Sequence, residues 1–427
     1  MRVLIVSSTS WDNFNSFGNT FSNLFENMED VEIYNICCQS GSLNNKVVKK
    51  AIQFSDKTVF KNIFTGKDPA HTMSVCDEIV KKEDLHSFAK KKFQKIKHFL
   101  FTMRDAVWKV GAWKRSKTLK QFLQEVQPDV VYLPIYASTY MCYVQRYIIE
   151  QLGVPVVGHI SDDVYGYAPK SSIFARSYTS RLRRQLRKLI DKCEYLEVFA
   201  ENMKEEYSRI FEKDCYVIGK GIAIQDSLKI EYVYSNQEEW KFVYTGNIGS
   251  ERYKILSAIG QAFDAVSSKR KLTLDIYSAT PLTEEIKKAF APYQSIRFKG
   301  AISKDEVEKV QREADFLVHV ESFSERAIFS AKMSFSTKII DYMAVRKPIF
   351  AVGPTDVNSI NVLQTKNLAV VAKSFTEIEE KTKELCAENV DLSNIAVCVE
   401  TYLKEERDIR KIQKGIKQRL DKVVEQK

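Results

Sequence analysis

The chain has 427 residues, of which 44% are hydrophobic and 11% aromatic. This length predicts two domains of about 100–200 residues each, and the apolar content excludes a largely disordered chain. Lysine and arginine outnumber aspartate and glutamate by 65 to 55, which gives a net charge of +10. The surplus suits phosphorylated ligands, an anionic membrane surface or nucleic acid, and does not choose among them.

The beginning of the chain and its cysteines predict a cytoplasmic protein. The apolar run in MRVLIVSSTS (1–10) is too short for a signal peptide, and no run reaches the about 18 apolar residues of a membrane span. The cysteines form no C-x-x-C pair and lie far from any histidine at zinc-finger spacing, so we expect reduced thiols and no structural metal. They are residues 37, 38, 76, 142, 193, 215, 386 and 398.

The first part of the chain, residues 1–225, shows the pattern of a parallel α/β domain. Three short apolar runs end in small or polar residues, and helix-compatible stretches separate them. They are RVLIVSS (2–8), PDVVYLP (128–134) and VPVVGHISDD (154–163). Such alternation predicts a parallel sheet whose functional loops follow the carboxyl ends of the strands.

Polar side chains at the end of the third run are candidates for contact with a substrate. His159 could bind a ligand, and Asp162 or Asp163 could orient a hydroxyl group or take its proton. A histidine that ends a strand can equally be a satisfied group of the core, and both interpretations stay open.

A basic helical insertion is predicted at about 85–125. FAKKKFQKIKHFLFTMRDAVWKVGAWKRSKTLKQFL (88–123) interleaves lysines with Phe, Leu, Ile and Trp and contains few acids. This pattern is typical of an amphipathic helix, which could rest on an anionic membrane through residues 88–115. A helix that simply covers the first domain has the same pattern. The basic residues accompany no nucleic-acid motif, so a nucleic-acid partner is not expected.

A second series of strands begins near residue 240 and predicts a second doubly wound domain over 226–400. A charged helix is expected at 401–427. The predicted strands lie at 240–249, 272–278, 296–300, 314–320, 348–353 and 368–373, with a helix at 254–269 among the elements between them.

Two loops of this second domain suit an anionic ligand. In YTGNIGSERY (244–253), Gly246 and Asn247 follow a strand, and Arg252 begins a helix. Glycine lets the backbone approach a phosphate closely, and the start of a helix attracts negative charge. An ordinary strand–helix turn would look similar.

The second loop opens SFSTKIIDYMAVRKPIFAVGP (334–354). If Ser336 caps a helix, Thr337 and Asp341 lie one turn apart on one face, with Lys338 on the opening turn. An anion could then meet the helix start and the Thr337 hydroxyl, while Asp341 could accept hydrogen bonds from the diol of a ribose. A capped helix with a surface acid is the alternative.

These stretches resemble the retaining glycosyltransferases of the GT-B fold, in the broad bacterial group called family 4. The resemblance rests on YTGNIGSERY, on FKGAISKDEVEKVQREADFLVHV (298–320) and above all on SFSTKIIDYMAVRKPIFAVGP, and it covers about 240–375. The first domain matches mainly in architecture. The resemblance implies an α/β protein of GT-B architecture: two doubly wound Rossmann-like domains facing a cleft, the first for the acceptor and the second for the nucleotide sugar, and a C-terminal helix.

The resemblance also implies roles for individual residues. Gly246, Asn247 and Arg252 fall where the family contacts the donor diphosphate, and Asp341 falls where it holds the ribose. The paired acid of the family falls on Met333. Residues of the preceding loop, Glu321, Ser322 and Glu325, are the candidates to replace it, and Gly18, in SFGNT (16–20), is a candidate contact to the substrates.

The function implied by the resemblance is retaining transfer of a sugar from a UDP-sugar to a glycan or lipid-linked acceptor in bacterial surface polysaccharide biosynthesis. We expect a cytoplasmic enzyme, at most peripheral to the membrane, that needs no metal or other cofactor. Two alternatives stay open. One is a nucleotide-sugar epimerase, for which a convincing set of carboxylates is missing. The other is a non-catalytic partner of another transferase, which the departure at Met333 favours.

Overall fold

The computed structural model describes residues 1–73, 90–166, 172–225, 227–266 and 270–426, except for the side chains of 90–98 and 304. Contacts divide the chain into two units, Met1–Gly219 with Arg410–Lys427, and Lys220–Ile409. The predicted boundary at 225 lies a few residues after this division, and the last residues belong to the first unit. Cys76, the first residues of the basic insertion and the end of the predicted helix at 254–269 lie outside the described residues.

The first unit contains a doubly wound sheet. Its strands are β1 (Arg2–Ser7), β2 (Glu32–Cys37), β3 (Val48–Gln53), β4 (His71–Met73), β5 (Val130–Pro134), β6 (Val156–Ile160), β7 (Tyr195–Val198) and β8 (Cys215–Val217). Their order is β4-β3-β2-β1-β5-β6-β7-β8, and neighbouring strands are parallel except β3 and β4. The order reverses between β1 and β5, which opens a crevice at their carboxyl ends.

The helices of this unit join the strands. They are α1 (Ser16–Phe25), α2 (Asp56–Thr65), α3 (Lys90–Val110), α4 (Lys117–Val126), α5 (Thr139–Leu152), α6 (Ile173–Ile190) and α7 (Glu201–Phe211), with a 3-10 turn at Ala112–Arg115. Strands β5 and β6 are buried along their whole length, as expected for parallel strands covered on both faces.

The second unit contains a parallel sheet of strands β9 (Glu239–Thr245), β10 (Lys271–Tyr277), β11 (Ile296–Gly300), β12 (Phe316–Val320), β13 (Ile349–Val352) and β14 (Val370–Ala372). The order β11-β10-β9-β12-β13-β14 reverses between β9 and β12. The helices are α8 (Arg252–Val266), α9 (Glu284–Phe290), α10 (Lys304–Arg312), α11 (Glu325–Ala331), α12 (Thr337–Ala344), α13 (Asn358–Thr365), α14 (Phe375–Cys386) and α15 (Leu392–Glu406).

Each strand predicted from the sequence is present, with ends that shift by at most a few residues, and the prediction of two doubly wound α/β domains is confirmed.

The charged end of the chain forms α15 and a further helix, α16 (Ile409–Glu425), rather than the single helix predicted at 401–427. The break at Arg407 lies beside Ile222. Ile222 N donates to Arg407 O at 2.8 Å, and Ile409 N donates to Ile222 O at 3.0 Å. From there α16 packs on the first unit, where Ile416 and Leu420 join its core.

The described part of the basic insertion covers the first unit in one place and leaves apolar side chains exposed in another, and contact with a membrane stays a prediction. Trp108 and Trp113 are fully buried and pack edge-on against Phe54, so these two rings belong to the core of the first unit. Phe99 and Met103 of α3 remain 65% and 52% exposed. Among the helices within the described ranges, none is long and apolar enough to span a membrane.

Candidate functional site

The loop after β9 is shaped by Gly246. Its φ of 147° favours glycine, and a Cβ there would collide with Lys338 Nζ. Tyr244 Oη donates to Asn247 O at 2.6 Å, and Asn247 Oδ1 accepts from Gly249 N at 2.6 Å. The polar atoms of Asn247 therefore fold the loop over the end of β9, immediately before α8 begins at Arg252.

Arg252 crosses from α8 to the end of β12. Its Nη2 donates to Glu321 Oε2 at 2.8 Å, and its Nε donates to Val320 O at 3.2 Å. Burial alone would raise the pKa of Glu321, but the Arg252 guanidinium that donates to this carboxylate opposes burial, and the pKa is lowered from its ordinary value. Glu321 is therefore an ionised, buried carboxylate at the point where the strand order reverses.

His319 lies beneath this pair on β12. Its Nε2 is 3.4 Å from Glu321 Oε1, outside hydrogen-bond geometry, and has no hydrogen-bond partner among the described residues. Burial lowers the pKa of His319, so the ring is neutral at physiological pH. His319 was not among the site residues predicted from the sequence, because it reads as one polar residue inside an apolar strand.

Lys338 completes the cluster from the second residue of α12. Its Nζ donates to Thr245 O at 3.2 Å and lies 5.2 Å from the centre of the Tyr244 ring. Within the described ranges, no carboxylate lies close enough to form an ion pair with it. Burial and repulsion from Arg252 lower the pKa of Lys338 to about 8, against the attraction of Glu321 and Asp341.

We call Gly246, Arg252, Glu321 and Lys338 the β9–β12 cluster. The structure brings these four predicted residues together at the carboxyl ends of two neighbouring strands. Two cations and one carboxylate leave a net positive charge at the switch point of the sheet, where α/β proteins of this topology bind ligands. The cluster is suited to bind an anion.

The start of α12 differs from the prediction in one contact. The helix begins after Ser336 as predicted, but the Ser336 side chain makes no capping hydrogen bond, and its backbone N donates to Ser359 Oγ at 2.9 Å. Asp341, one turn beyond Thr337, forms an ion pair with Lys220. The Lys220 side chain is 11% exposed and that of Asp341 is 40% exposed, so the carboxylate still faces solvent on one side. Lys220 was not among the site residues predicted from the sequence.

Ser322 and Glu325 were the other predicted replacements for the acid that the resemblance places at Met333. Met333 is buried. Ser322 is also buried and accepts a hydrogen bond from Ser324 N at 3.2 Å, whereas Glu325 is exposed at the first position of α11. Glu321 is therefore the carboxylate of this loop that reaches the cluster.

In the first unit, His159 lies in the core at the end of β6. Its Nδ1 is 2.9 Å from Tyr132 Oη and its Nε2 is 2.9 Å from Ser161 Oγ. Burial lowers the pKa of His159 to about 3, so the ring is neutral. This geometry favours the core interpretation that the sequence left open, and direct contact of His159 with a substrate stays a prediction.

The neighbouring acids differ in their surroundings. Asp163 Oδ1 accepts from Tyr207 Oη at 2.8 Å and from the backbone N of Tyr165 and Gly166 at 2.9 and 3.1 Å, so it holds the turn after β6. Asp162 is exposed. A Cβ at Gly18 would overlap the backbone of Asp12, so the fold itself requires glycine there.

No protein-family model and no curated protein matches the sequence. Solved structures match it along its whole length. Sucrose-phosphate synthase from Thermosynechococcus elongatus has 10% identity and a TM-score of 0.62, covering 100% of both chains. HepE from Anabaena, in complex with UDP-glucose, has 12% identity and a TM-score of 0.59, covering 99% of this chain and 100% of that one. The lipopolysaccharide outer core galactosyltransferase WaaB, in its apo form, has 12% identity and a TM-score of 0.56, covering 98% of this chain and 100% of that one.

The chain has the GT-B fold. At these identities the likeness extends to the fold and not to individual residues. In this GT-B chain, the assignment of the β9–β12 cluster as an anion site therefore rests on the geometry of the chain itself.

Proposed function

We propose that the chain is a glycosyltransferase that takes a sugar from a nucleotide-sugar donor, with the β9–β12 cluster binding the donor diphosphate. The observation that carries the proposal is the excess of cations. Lys338 is largely buried and donates to a backbone carbonyl, while Arg252 is balanced by Glu321. Keeping an ammonium group out of water without a carboxylate partner is costly, and a bound diphosphate would offset that cost.

The chemistry follows from the same charges. When the bond between the sugar and the diphosphate breaks, negative charge accumulates on the leaving phosphate. Arg252 and Lys338 lie beside the loop where the phosphate would bind, so they would stabilise this charge and lower the barrier. We assign the donor as a UDP-sugar and the transfer as retaining, on the family resemblance. The GT-B structure of HepE, solved with UDP-glucose, supports the choice of base.

We further propose that the first unit binds the acceptor, a glycan or lipid-linked glycan of bacterial surface polysaccharide biosynthesis. Asp162, exposed after β6, is the acid best placed to contact an acceptor hydroxyl. Residues 88–115 would contact an anionic membrane through the exposed side chains of Phe99 and Met103. A non-catalytic nucleotide-binding partner is the second candidate, because Met333 is buried where the family has an acid.

The first test is a thermal-shift panel of UDP, GDP, ADP and UDP-sugars, each with and without EDTA. A ligand at about 100 times its Kd should stabilise the chain by about 2.7 kcal/mol. We expect a shift with UDP and UDP-sugars that EDTA does not change, followed by release of UDP on incubation with the donor. No shift with any nucleotide contradicts donor binding. A shift without release of UDP supports the non-catalytic partner, and conversion of the donor to its epimer supports an epimerase.

Replacing Asp341 by alanine tests the ribose assignment. We expect UDP to bind at least several-fold more weakly, because the variant loses the carboxylate that would accept from the ribose hydroxyls, while the fold is retained. Isothermal titration with UDP and with 2′-deoxy-UDP measures the effect. A smaller loss for 2′-deoxy-UDP than for UDP locates it at the ribose, and unchanged affinity for UDP contradicts the assignment.

A further inference from the structure

Five side chains of the first unit form a continuous hydrogen-bonded chain from α16 to the loop after β6. It passes across β7, β5 and β6, and Glu197, Tyr132 and His159 in its middle are fully or almost fully buried. We call it the Arg419–Ser161 chain. Its members are Arg419, Glu197, Tyr132, His159 and Ser161.

The hydrogen bonds of the Arg419–Ser161 chain all run in one direction, because each hydroxyl group carries a single proton. Arg419 donates to Glu197 Oε1 through Nε at 3.0 Å and Nη2 at 2.6 Å. Burial raises the pKa of Glu197 above its ordinary value even with Arg419 beside it, but the two guanidinium N–H groups on Oε1 are the geometry of an ion pair with a carboxylate. With an ionised carboxylate as acceptor, Tyr132 Oη donates to Glu197 Oε2 at 2.6 Å. The tyrosine proton is then committed to Glu197.

The direction determines the tautomer of His159. Tyr132 Oη has no second proton, so in the contact at 2.9 Å it accepts from His159 Nδ1. A neutral imidazole carries one proton, which leaves Nε2 as an acceptor. Ser161 Oγ, 2.9 Å from Nε2, must therefore donate its proton to the histidine. Towards any ligand, the Ser161 oxygen then offers lone pairs and no proton.

We propose that Arg419, Glu197 and Tyr132 are positioning residues that hold His159 as its Nδ1–H tautomer and thereby make Ser161 a hydrogen-bond acceptor for a ligand. The ligand must donate, as the hydroxyl group of a sugar does. This ligand assignment rests on the proposed function, in which the loop after β6 contacts the acceptor. Ser161 directly precedes Asp162, so the two residues would contact the same part of that acceptor.

Nitrogen-15 NMR of histidine-labelled protein at neutral pH tests the proposal, since the two tautomers give different patterns of long-range proton–nitrogen correlations. The chain contains five histidines, which keeps the spectrum simple. We expect one of them to be a neutral Nδ1–H tautomer. Replacing Ser161 by alanine should shift the Nε2 resonance of that histidine and leave its Nδ1 proton in place. Absence of an Nδ1–H histidine in the unmodified protein overturns the proposal.

Glu197→Gln is the decisive variant. Arg419 should keep its contact with the glutamine Oε1, which turns the amide NH2 towards Tyr132. Tyr132 then accepts from the amide and donates to His159 Nδ1, so the same histidine should change to Nε2–H. An unchanged tautomer in the folded variant overturns the proposal. Tyr132→Phe, which removes the acceptor at Nδ1, is the second variant if Glu197→Gln does not fold, and it should also lose the Nδ1 proton.

The readout needs no nucleotide and no acceptor. If the protein shows the tautomer change but binds no nucleotide, the proposed function and the sugar as ligand are contradicted. The positioning role of Arg419, Glu197 and Tyr132 is then still supported. A chain that binds UDP but lacks the Nδ1–H histidine would contradict this inference alone.

Discussion

Replacing Lys338 by methionine is expected to stabilise the ligand-free chain by about 1–3 kcal/mol and to weaken UDP binding at least tenfold. The folded chain holds the Lys338 ammonium against the Tyr244 ring, with a carbonyl rather than a carboxylate as its acceptor. Methionine has a similar length and needs no hydrogen bond there. A variant that gains stability while it loses a ligand is typical of a residue kept for binding.

The gain in stability of Lys338→Met should depend on pH, because Lys338 binds its proton differently in the folded and unfolded chains. Burial and Arg252 lower the pKa of Lys338 from its ordinary value of 10.5 to about 8. Between these values the unfolded chain binds more protons at this position than the folded chain, so stability due to Lys338 rises with pH. The advantage of Lys338→Met over the unmodified chain should therefore be full below pH 8 and shrink towards pH 10. Denaturant unfolding at several pH values measures it.

Lys254→Met is the matched control. This lysine lies on α8 near Arg252, but its side chain is half exposed and pairs with Glu251 at 3.3 Å. We expect neither its stability nor its UDP affinity to change appreciably. Two results would contradict the role of Lys338: a destabilised Lys338→Met chain, or one that binds UDP as tightly as the unmodified chain does.

The six strands of the second sheet and β1, β5 and β6 of the first could be predicted, because parallel strands buried on both faces appear in the sequence as short apolar runs. PDVVYLP and PIFAVG are examples, and they correspond to β5 and β13. The division of the basic insertion into a buried part and an exposed part could not be predicted. Trp108 and Phe99 occur in the same basic context, yet one is in the core and the other is exposed. Tertiary packing on α2 and α5 decides between them, and a sequence pattern does not contain that packing.

The β9–β12 cluster was partly predictable, because the ends of its strands were. The position of Arg252, Glu321 and Lys338 after strands or at helix starts places them at one edge of the sheet. Their ion pair was not predictable, nor was the contact of Lys220 with Asp341, because these depend on side-chain directions across separate elements. For His159, the sequence pattern allowed two interpretations and could not choose between them. A polar residue near the end of a strand suggested contact with a ligand, but Tyr132 and Ser161 are hydrogen-bond partners for both nitrogens of the ring.

We expect Arg419 to contribute most to the attachment of α16, because its removal leaves the buried charge of Glu197 without a cation. Glu197 is fully buried on β7, and Arg419 is the cation that faces it at 2.6 Å. In Arg419→Met the carboxylate must remain ionised without a cation beside it or take up a proton, and breaking such a buried pair costs about 3–5 kcal/mol. Urea unfolding should show this loss, whereas Lys417→Met, which removes an exposed pair with Asp421 on the same helix, should change little.

The double variant Arg419→Met/Glu197→Gln separates the charge from the packing. If the stranded carboxylate causes the loss, the double variant should be more stable than Arg419→Met alone, since a neutral amide is less costly to bury without a cation than a carboxylate is. If the loss comes instead from the packing of the Arg419 side chain, which lies 4.8 Å from the Tyr216 ring, the second substitution should not recover it. A double variant no more stable than Arg419→Met would therefore assign α16 a packing role and contradict the electrostatic one.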